Sequence, residues 1–414
     1  MIGVYYETLQ IGSIDPDAGH AFEYEAEWLS TPGAFPLSLR FPLNDEPVSG
    51  AEIEIWLANL LPEERNLTTI ARQTGHSPGD VFGLIQQLGG ETAGALSFGA
   101  HAQAVEDFRE IEPRDLERVL NELPRRPFLV GEEGVSLSLT GGQDKLPVAL
   151  LDNGSWAIPL AGASSTHILK PDNSRLPGIV ENEALCLTLA AAVGLNAASC
   201  ETRRAGQRKY LAVKRYDRTA TDKRVRRLHQ EDFGQILGYP PQQKYECATG
   251  GGPGLRDLYS VANYLPARDR LALVDSFVFN ILIGNTDAHA KNYSVLFKPD
   301  RQGQITPVLA PLYDLLCARC WPEVNRYFAQ NIAGTKRPMS GIFHRHWEAV
   351  SQSLGLNPTL LLRRVERLAD DAFIALPDAV KRLEAGEGTD PAVLRHVSEA
   401  VEKSILTVSA NARK

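Results

Sequence analysis

Leu271–Gly284 is the longest apolar run in the chain, and it constrains the fold more than any other segment. Asp275 and Ser276 interrupt it, and it falls short of the roughly 18–20 residues of a membrane span. Leu271, Val274, Phe277, Val278 and Ile281 share one helical stripe, so the run predicts a core helix. Gly284 supplies the left-handed residue that commonly ends a helix. The chain then turns into GNTDAHAKNYSVL, a polar loop anchored on a rigid buried element.

Asp287 and Asn292 stand five positions apart in that loop, and Asp314 follows within YDLL. Metal-assisted phosphoryl transfer needs these parts. One carboxylate orients a hydroxyl, while an amide oxygen and a second carboxylate hold Mg²⁺ on the phosphates of ATP. His289 follows the first acid, whereas the H-R-D-x-x-x-x-N loop of ordinary protein kinases places it before. The plain alternative is a polar loop that uses Asn, Thr and Asp for turn chemistry.

Other segments carry weaker signals. Ser136–Lys145, SLSLTGGQDK, reads as a strand running into a glycine turn. Backbone N–H groups of such a turn can cradle phosphate, with Lys145 adding charge, but a hairpin explains it equally well. It is not a Walker A sequence. Lys170 ends the apolar strand THILK, with Glu183 on the next helix as a candidate partner; a solvated strand-end lysine is the alternative. Lys214–Asp217 follows the apolar LAV and offers backbone groups to adenine, or forms a solvated hairpin within the basic stretch Arg203–Arg227. The glycines of Ala248–Gly254 read as a connection between halves, and His344 and His346 as structural. Five scattered cysteines, including Cys317 and Cys320 of a lone CxxC, read as free thiols rather than a zinc site.

The first hundred or so residues look strand-rich. Phe22, Tyr24, Ala26 and Trp28 alternate with Glu23, Glu25 and Glu27. Ser77–Asp80 opens a helix that the paired glycines after it close, and Glu91–Phe98 returns as a strand. HAQAVEDFREIEP is polar, and Pro113 opens a short helix. Short strands follow from Phe128 to Tyr216 (VSLSL, LPVALL, SWAIPL, THILK, LAVKRY), broken by one helix ending near Gly194. From about residue 255 nearly everything reads helical. The expected organisation is an N-terminal β-rich subdomain over 1–105, a helical linker over 106–127, a strand-rich part over 128–250 and a helical lobe over 251–414.

A net charge of −8 argues against a uniformly basic nucleic-acid binder, while leaving room for local basic patches. The N-terminus MIGVYYETLQ lacks the basic start and apolar stretch of a signal peptide. A cytoplasmic protein with no membrane contact is expected.

Together, SLSLTGGQDK, THILKP, ENEALCLTLAAAVGLN, LAVKRYDR, GGPG, GNTDAHAKNYSVL and LAPLYDLL, in this order, resemble the HipA-like serine/threonine kinase toxins of bacterial toxin–antitoxin modules. WLANLLPEE and FGLIQQLGGETAGAL resemble the family's N-terminal subdomain. The resemblance implies an α+β, two-lobed kinase-like fold related to the phosphatidylinositol 3/4-kinase-like kinases, with an all-helical C-terminal half. It implies Asp287 as general base, with Asn292 and Asp314 as Mg²⁺ ligands. The ATP site would comprise Thr140, Gly141, Gly142, Gln143, Asp144, Lys145, Lys170, the hinge Lys214, Arg215 and Tyr216, then His289, Ala290, Lys291, Asn292, Tyr313 and Asp314. Gly142, Asp144 and Lys214 depart mildly from the family's usual residues.

The resemblance further implies phosphorylation of an aminoacyl-tRNA synthetase, typically glutamyl-type, and autophosphorylation at Ser138, with Ser136 as a second acceptor. A phosphate there carries about −1.5 to −2 charge where ATP phosphates must sit, which would silence the enzyme. The implied partner is a small dimeric helix-turn-helix antitoxin, with operator DNA reached through the complex. A corepressor with little transfer, or a small-molecule kinase, are the alternatives.

Overall fold

The computed structural model describes residues 1–99, 107–220, 225–300 and 302–414. Parts of the polar tract before Pro113 and of the basic stretch Arg203–Arg227 lie outside the described residues. Strands β1 (Ile2–Tyr6), β2 (Leu9–Asp15) and β3 (Ala21–Tyr24) are followed by helices α1 (Ala26–Ser30), α2 (Gly50–Ala58), α3 (Glu64–Thr74) and α4 (Val81–Leu88). Strand β4 (Leu96–Phe98) then closes a four-stranded sheet of order β3-β2-β1-β4.

This module thus holds more helix than strand, in place of the β-rich subdomain expected. The alternation through Trp28 stops being a strand at Tyr24, because Trp28 turns inward on α1 and its indole donates to Phe35 O at 3.1 Å. Helix α4 starts where Asp80 accepts from Gly83 N at 3.0 Å and ends at Gly89. Glu91–Phe98 is a strand only over its last three residues.

The segment expected as a helical linker opens with strand β5 (Asp107–Glu110) before α5 (Pro113–Glu122). Then come β6 (Leu146–Leu150), β7 (Trp156–Leu160), β8 (His167–Pro171), α6 (Ile179–Ala192), β9 (Cys200–Ala205) and β10 (Arg208–Lys214). They build an antiparallel sheet of order β5-β7-β6-β8-β10-β9. VSLSL is no strand of it. Ser138 N donates to Glu91 O at 2.9 Å and Glu91 N to Ser136 O at 3.0 Å, a single parallel bridge in place of a ladder.

Both faces of that sheet are covered. On β10, Tyr210 and Ala212 enter the core shared with the N-terminal module, while Leu211 and Val213 enter the helical core, as the period of two demands. The N-terminal module is therefore joined to the sheet by one continuous apolar layer.

The rest comprises β11 (Arg218–Ala220), β12 (Val225–Arg227), β13 (Gln230–Asp232), α7 (Phe233–Leu237), α8 (Leu255–Ser260), α9 (Ala267–Ile283), β14 (Ser294–Pro299), β15 (Ile305–Leu309), α10 (His344–Ser353), α11 (Pro358–Glu384) and α12 (Pro391–Ala412). The C-terminal half is not all-helical: β13, β14 and β15 form a small antiparallel sheet at the end of α9. Residues of α6, α9, α11 and α12 share the helical core. Among the described residues no helix is long and apolar enough to cross a membrane, and no His, Cys, Asp and Glu side chains cluster as a metal site.

Candidate active site

Gly284 ends α9 at φ +76°, and its neighbour Asn285 N donates back to Asn280 O at 2.8 Å. A Cβ at Gly284 would lie 2.4 Å from Met339 Sδ, so packing as well as backbone conformation asks for glycine. The loop that follows is held from within. Asn285 Nδ2 donates to Asn280 Oδ1 at 2.7 Å, and Asp287 N donates to Asn285 Oδ1 at 3.1 Å. Asn292 Nδ2 donates to Asp287 O at 2.9 Å, which fixes the orientation of the side-chain amide. His289 and Asn292 are buried, whereas Asp287 is exposed.

Lys170 is central to the second cluster. It sits on β8 opposite Leu211 of β10, and its ammonium donates to Glu183 Oε1 of α6 at 2.6 Å and to Asp314 Oδ1. Burial disfavours its charge, yet the two carboxylates hold it above the ordinary lysine range. Burial likewise opposes ionisation of Asp314, and Lys170 and Lys145 overcome this, holding it well below the usual carboxylate range. Asp314 has φ +51°, an uncommon backbone for a non-glycine residue, which fits a functional position.

The glycine turn closes over this cluster. Lys145 is buried and donates to Thr140 O at 2.6 Å, and burial pushes its pKa down. Gly141 adopts φ +101°, where a Cβ would lie 2.7 Å from Lys145 Nζ. The turn is docked on the N-terminal module: Thr140 Oγ1 donates to Glu63 Oε1 at 3.1 Å, and Arg65 pairs with Asp144 at 3.0 Å. Gly142 is exposed and Gln143 half-buried on the same turn.

In the segment expected as the hinge, Tyr216 packs its ring 5.7 Å from that of Tyr313, and the Tyr313 hydroxyl donates to Lys291 O at 2.6 Å. The backbone N–H groups of Lys214 and Arg215 are already bonded to Ser199 O and Thr166 O, at 2.8 and 2.9 Å.

Two residues expected at the nucleotide have side chains directed elsewhere. The buried Arg215 guanidinium binds Glu91, Asp217, Ser165 and Thr92 O. Lys291 is buried and donates to Asn59 O, Asn59 Oδ1 and Asp232 Oδ2 at 2.8–2.9 Å. Each joins the N-terminal module to the rest. Ser136 and Ser138 are both buried: Ser138 Oγ donates to Leu60 O at 2.8 Å, and Ser136 Oγ to Gln87 O at 3.0 Å.

Sequence reasoning passed over Glu63, Lys244 and Tyr245. Glu63 accepts from Thr140 and from Lys244 Nζ at 2.5 Å and lies 3.8 Å from Lys291. Burial opposes its charge, but Lys291 and Lys244 pull its pKa down to about 2. Tyr245 donates its hydroxyl to Asp287 Oδ1 at 2.5 Å.

Residues 137–376 match the HipA-like C-terminal domain model, and residues 2–99 match the HipA N-terminal domain model. The chain belongs to the family of HipA-like serine/threonine-protein kinase toxins. It is 38% identical to the putative kinase Y4mE of Sinorhizobium fredii, covering 91% of each chain. It is 31% identical to the serine/threonine-protein kinase toxin HipA of Shewanella oneidensis, over 87% of this chain and 85% of that one. Its structure matches the Shewanella oneidensis HipA chain solved with HipB and operator DNA at a TM-score of 0.85, 27% identity, and coverage of 100% and 98%. As a HipA-family member the chain is a protein kinase with a mixed α/β fold.

Proposed function

We propose that the chain transfers the γ-phosphoryl group of MgATP to a serine or threonine hydroxyl of a protein, with Asp287 as general base. The observation that carries this is Lys170, joined at once to Glu183 of α6 and to Asp314. A strand lysine paired with a helix glutamate beside a metal-binding acid is the phosphate-handling arrangement of kinases.

Bound Mg²⁺ would neutralise charge on the phosphates, with Asp314 and the Asn292 amide oxygen as its protein ligands. Two oxygen donors suit this ion, which keeps water and phosphate oxygens as its other ligands. Lys170, Lys145 and the Thr140–Lys145 turn contact the phosphates. With the amides of Lys214 and Arg215 already bonded, adenine recognition falls to the backbone of Tyr216 and the carbonyls beside it. Positioning and charge neutralisation supply most of the rate.

The acceptor is an aminoacyl-tRNA synthetase of the glutamyl type, in the cytoplasm, and the family relation extends to the phosphatidylinositol 3/4-kinase-like kinases. A small dimeric helix-turn-helix antitoxin and operator DNA are the partners, supported by the Shewanella oneidensis HipA, HipB and operator DNA assembly. Ser138, with Ser136 as a second acceptor, is the self-inactivation site. Incubation with γ-labelled ATP and candidate synthetases tests the reading. Asp287→Gln is expected to stay folded and to lose transfer; undiminished labelling by that variant would overturn it.

A further inference from the structure

The proposed base does not stand alone. Asp287 is exposed, yet one of its oxygens is held by the hydroxyl of Tyr245, a residue 42 positions earlier. Tyr245 is itself fixed from two sides. Its ring meets the buried His289 edge-on, 5.1 Å between centroids at 90°. Its neighbour Lys244 accepts Ala290 N at its carbonyl, 3.1 Å away, and sends its ammonium to Glu63 of the N-terminal module. The next residue, Glu246, accepts from Asn331 N and Nδ2. The segment is therefore pinned to the catalytic loop, the N-terminal module and the 331 loop at consecutive residues.

We propose that Tyr245 is a positioning residue for Asp287, and that the Lys244–Glu63 pair sets Tyr245. The proposal rests on Asp287 being the base. A phenol donating to Oδ1 fixes the carboxylate rotamer and leaves Oδ2 for the incoming hydroxyl, since a carboxylate has acceptor capacity on both oxygens. A base held in the productive orientation reacts more often per bound substrate, so the effect falls on kcat. Glu63 also accepts from Thr140, so a single carboxylate of the N-terminal module ties the glycine turn and the base-holding segment together.

The test uses the full chain, MgATP with a γ-label, and a dialysed bacterial extract as the pool of acceptors, with ATP affinity read separately by a fluorescent nucleotide. Tyr245→Phe keeps the ring on His289 and removes only the hydroxyl. It is expected to lower kcat roughly tenfold or more, with KM for ATP and the melting midpoint unchanged. Lys244→Gln is expected to lower kcat as well, and the double variant to be no slower than the slower single variant, because both changes act through one contact. Multiplying losses would overturn the Lys244 link. A Tyr245→Phe rate equal to the parent overturns the positioning role, and a faster rate shows that Tyr245 instead occupies the acceptor's place. Asp287→Gln is run alongside. Retained transfer by that variant removes the base assignment itself, whereas loss there with an unaffected Tyr245→Phe removes only this inference.

Discussion

Lys291 extends from the catalytic loop to Asn59 at the end of α2, donating to its carbonyl and side-chain oxygens while also binding Asp232. A lysine next to Asn292, the proposed metal ligand, thus fastens the N-terminal module to the proposed catalytic loop. Lys291→Met would leave the buried Asp232 carboxylate and two Asn59 oxygens without their cation. Breaking a buried pair from one side costs about 3–5 kcal/mol. The expected result is a stability loss of that order in chemical denaturation, with ATP affinity of the folded fraction little changed. A variant of parental stability with abolished nucleotide binding would return Lys291 to the ATP site.

Lys170 is the opposite case, since its partners are the proposed metal acid and the helix glutamate. Lys170→Met is expected to lower transfer by about 100-fold or more, as loss of one preorganised charge in a reacting site does. Lys170→Arg is not expected to rescue it, because a planar fork does not replace a compact ammonium between two carboxylates. Steady-state rates at saturating MgATP distinguish these outcomes.

Local signals explain what was legible. The stripe through Leu271–Ile281 and the stop at Gly284 are encoded within one helix, and the sequence shows them directly. Lys170 with Glu183 follows from a strand followed by a helix. Lys291 and Arg215 could not be read this way, because their partners Asn59 and Glu91 lie far back in the chain. VSLSL alternates like a strand but docks on Glu91 by one bridge, and alternation does not reveal whether a ladder partner exists. Strands β14 and β15 are short and lie between helical segments, so the helical reading ran over them. Glu63 lay inside a segment recognised as family-like, yet its role depends on Thr140 and Lys244 folding onto it.

Glu231 gives a pH signature for the docking of the N-terminal module. Its buried carboxylate accepts from Ser38 Oγ and Leu39 N at 2.7 Å and from Trp56 Nε1 at 3.4 Å. Burial outweighs these donors and raises its pKa to about 7. A carboxyl whose folded pKa is raised contributes stability that is fully present below its unfolded value, near 4.5, and is lost as pH rises through about 7. The stability at stake is on the order of 3 kcal/mol. Denaturation midpoints are expected to fall as pH rises from about 4.5 to about 7, the interval between the two pKa values, and to level off above it. Glu231→Gln is expected to flatten that part of the profile; an unchanged slope would assign it to other groups.

Ser138 is fully buried, and its hydroxyl donates to Leu60 O at 2.8 Å. A phosphate there brings about −1.5 to −2 charge into a position sealed from solvent. Phosphorylation and the present position of the Ser136–Lys145 segment therefore exclude each other. Incubation with MgATP is expected to label Ser138, to raise protease cleavage within that segment, and to lower further transfer in step with labelling. The Ser136→Ala, Ser138→Ala double variant is expected to show none of these changes, and Ser138→Ala alone to lose about 1 kcal/mol for the missing hydrogen bond. Mass spectrometry alongside limited proteolysis decides it. Label on Ser138 with an unchanged cleavage pattern would mean that the segment accommodates the charge in place, against the burial argument.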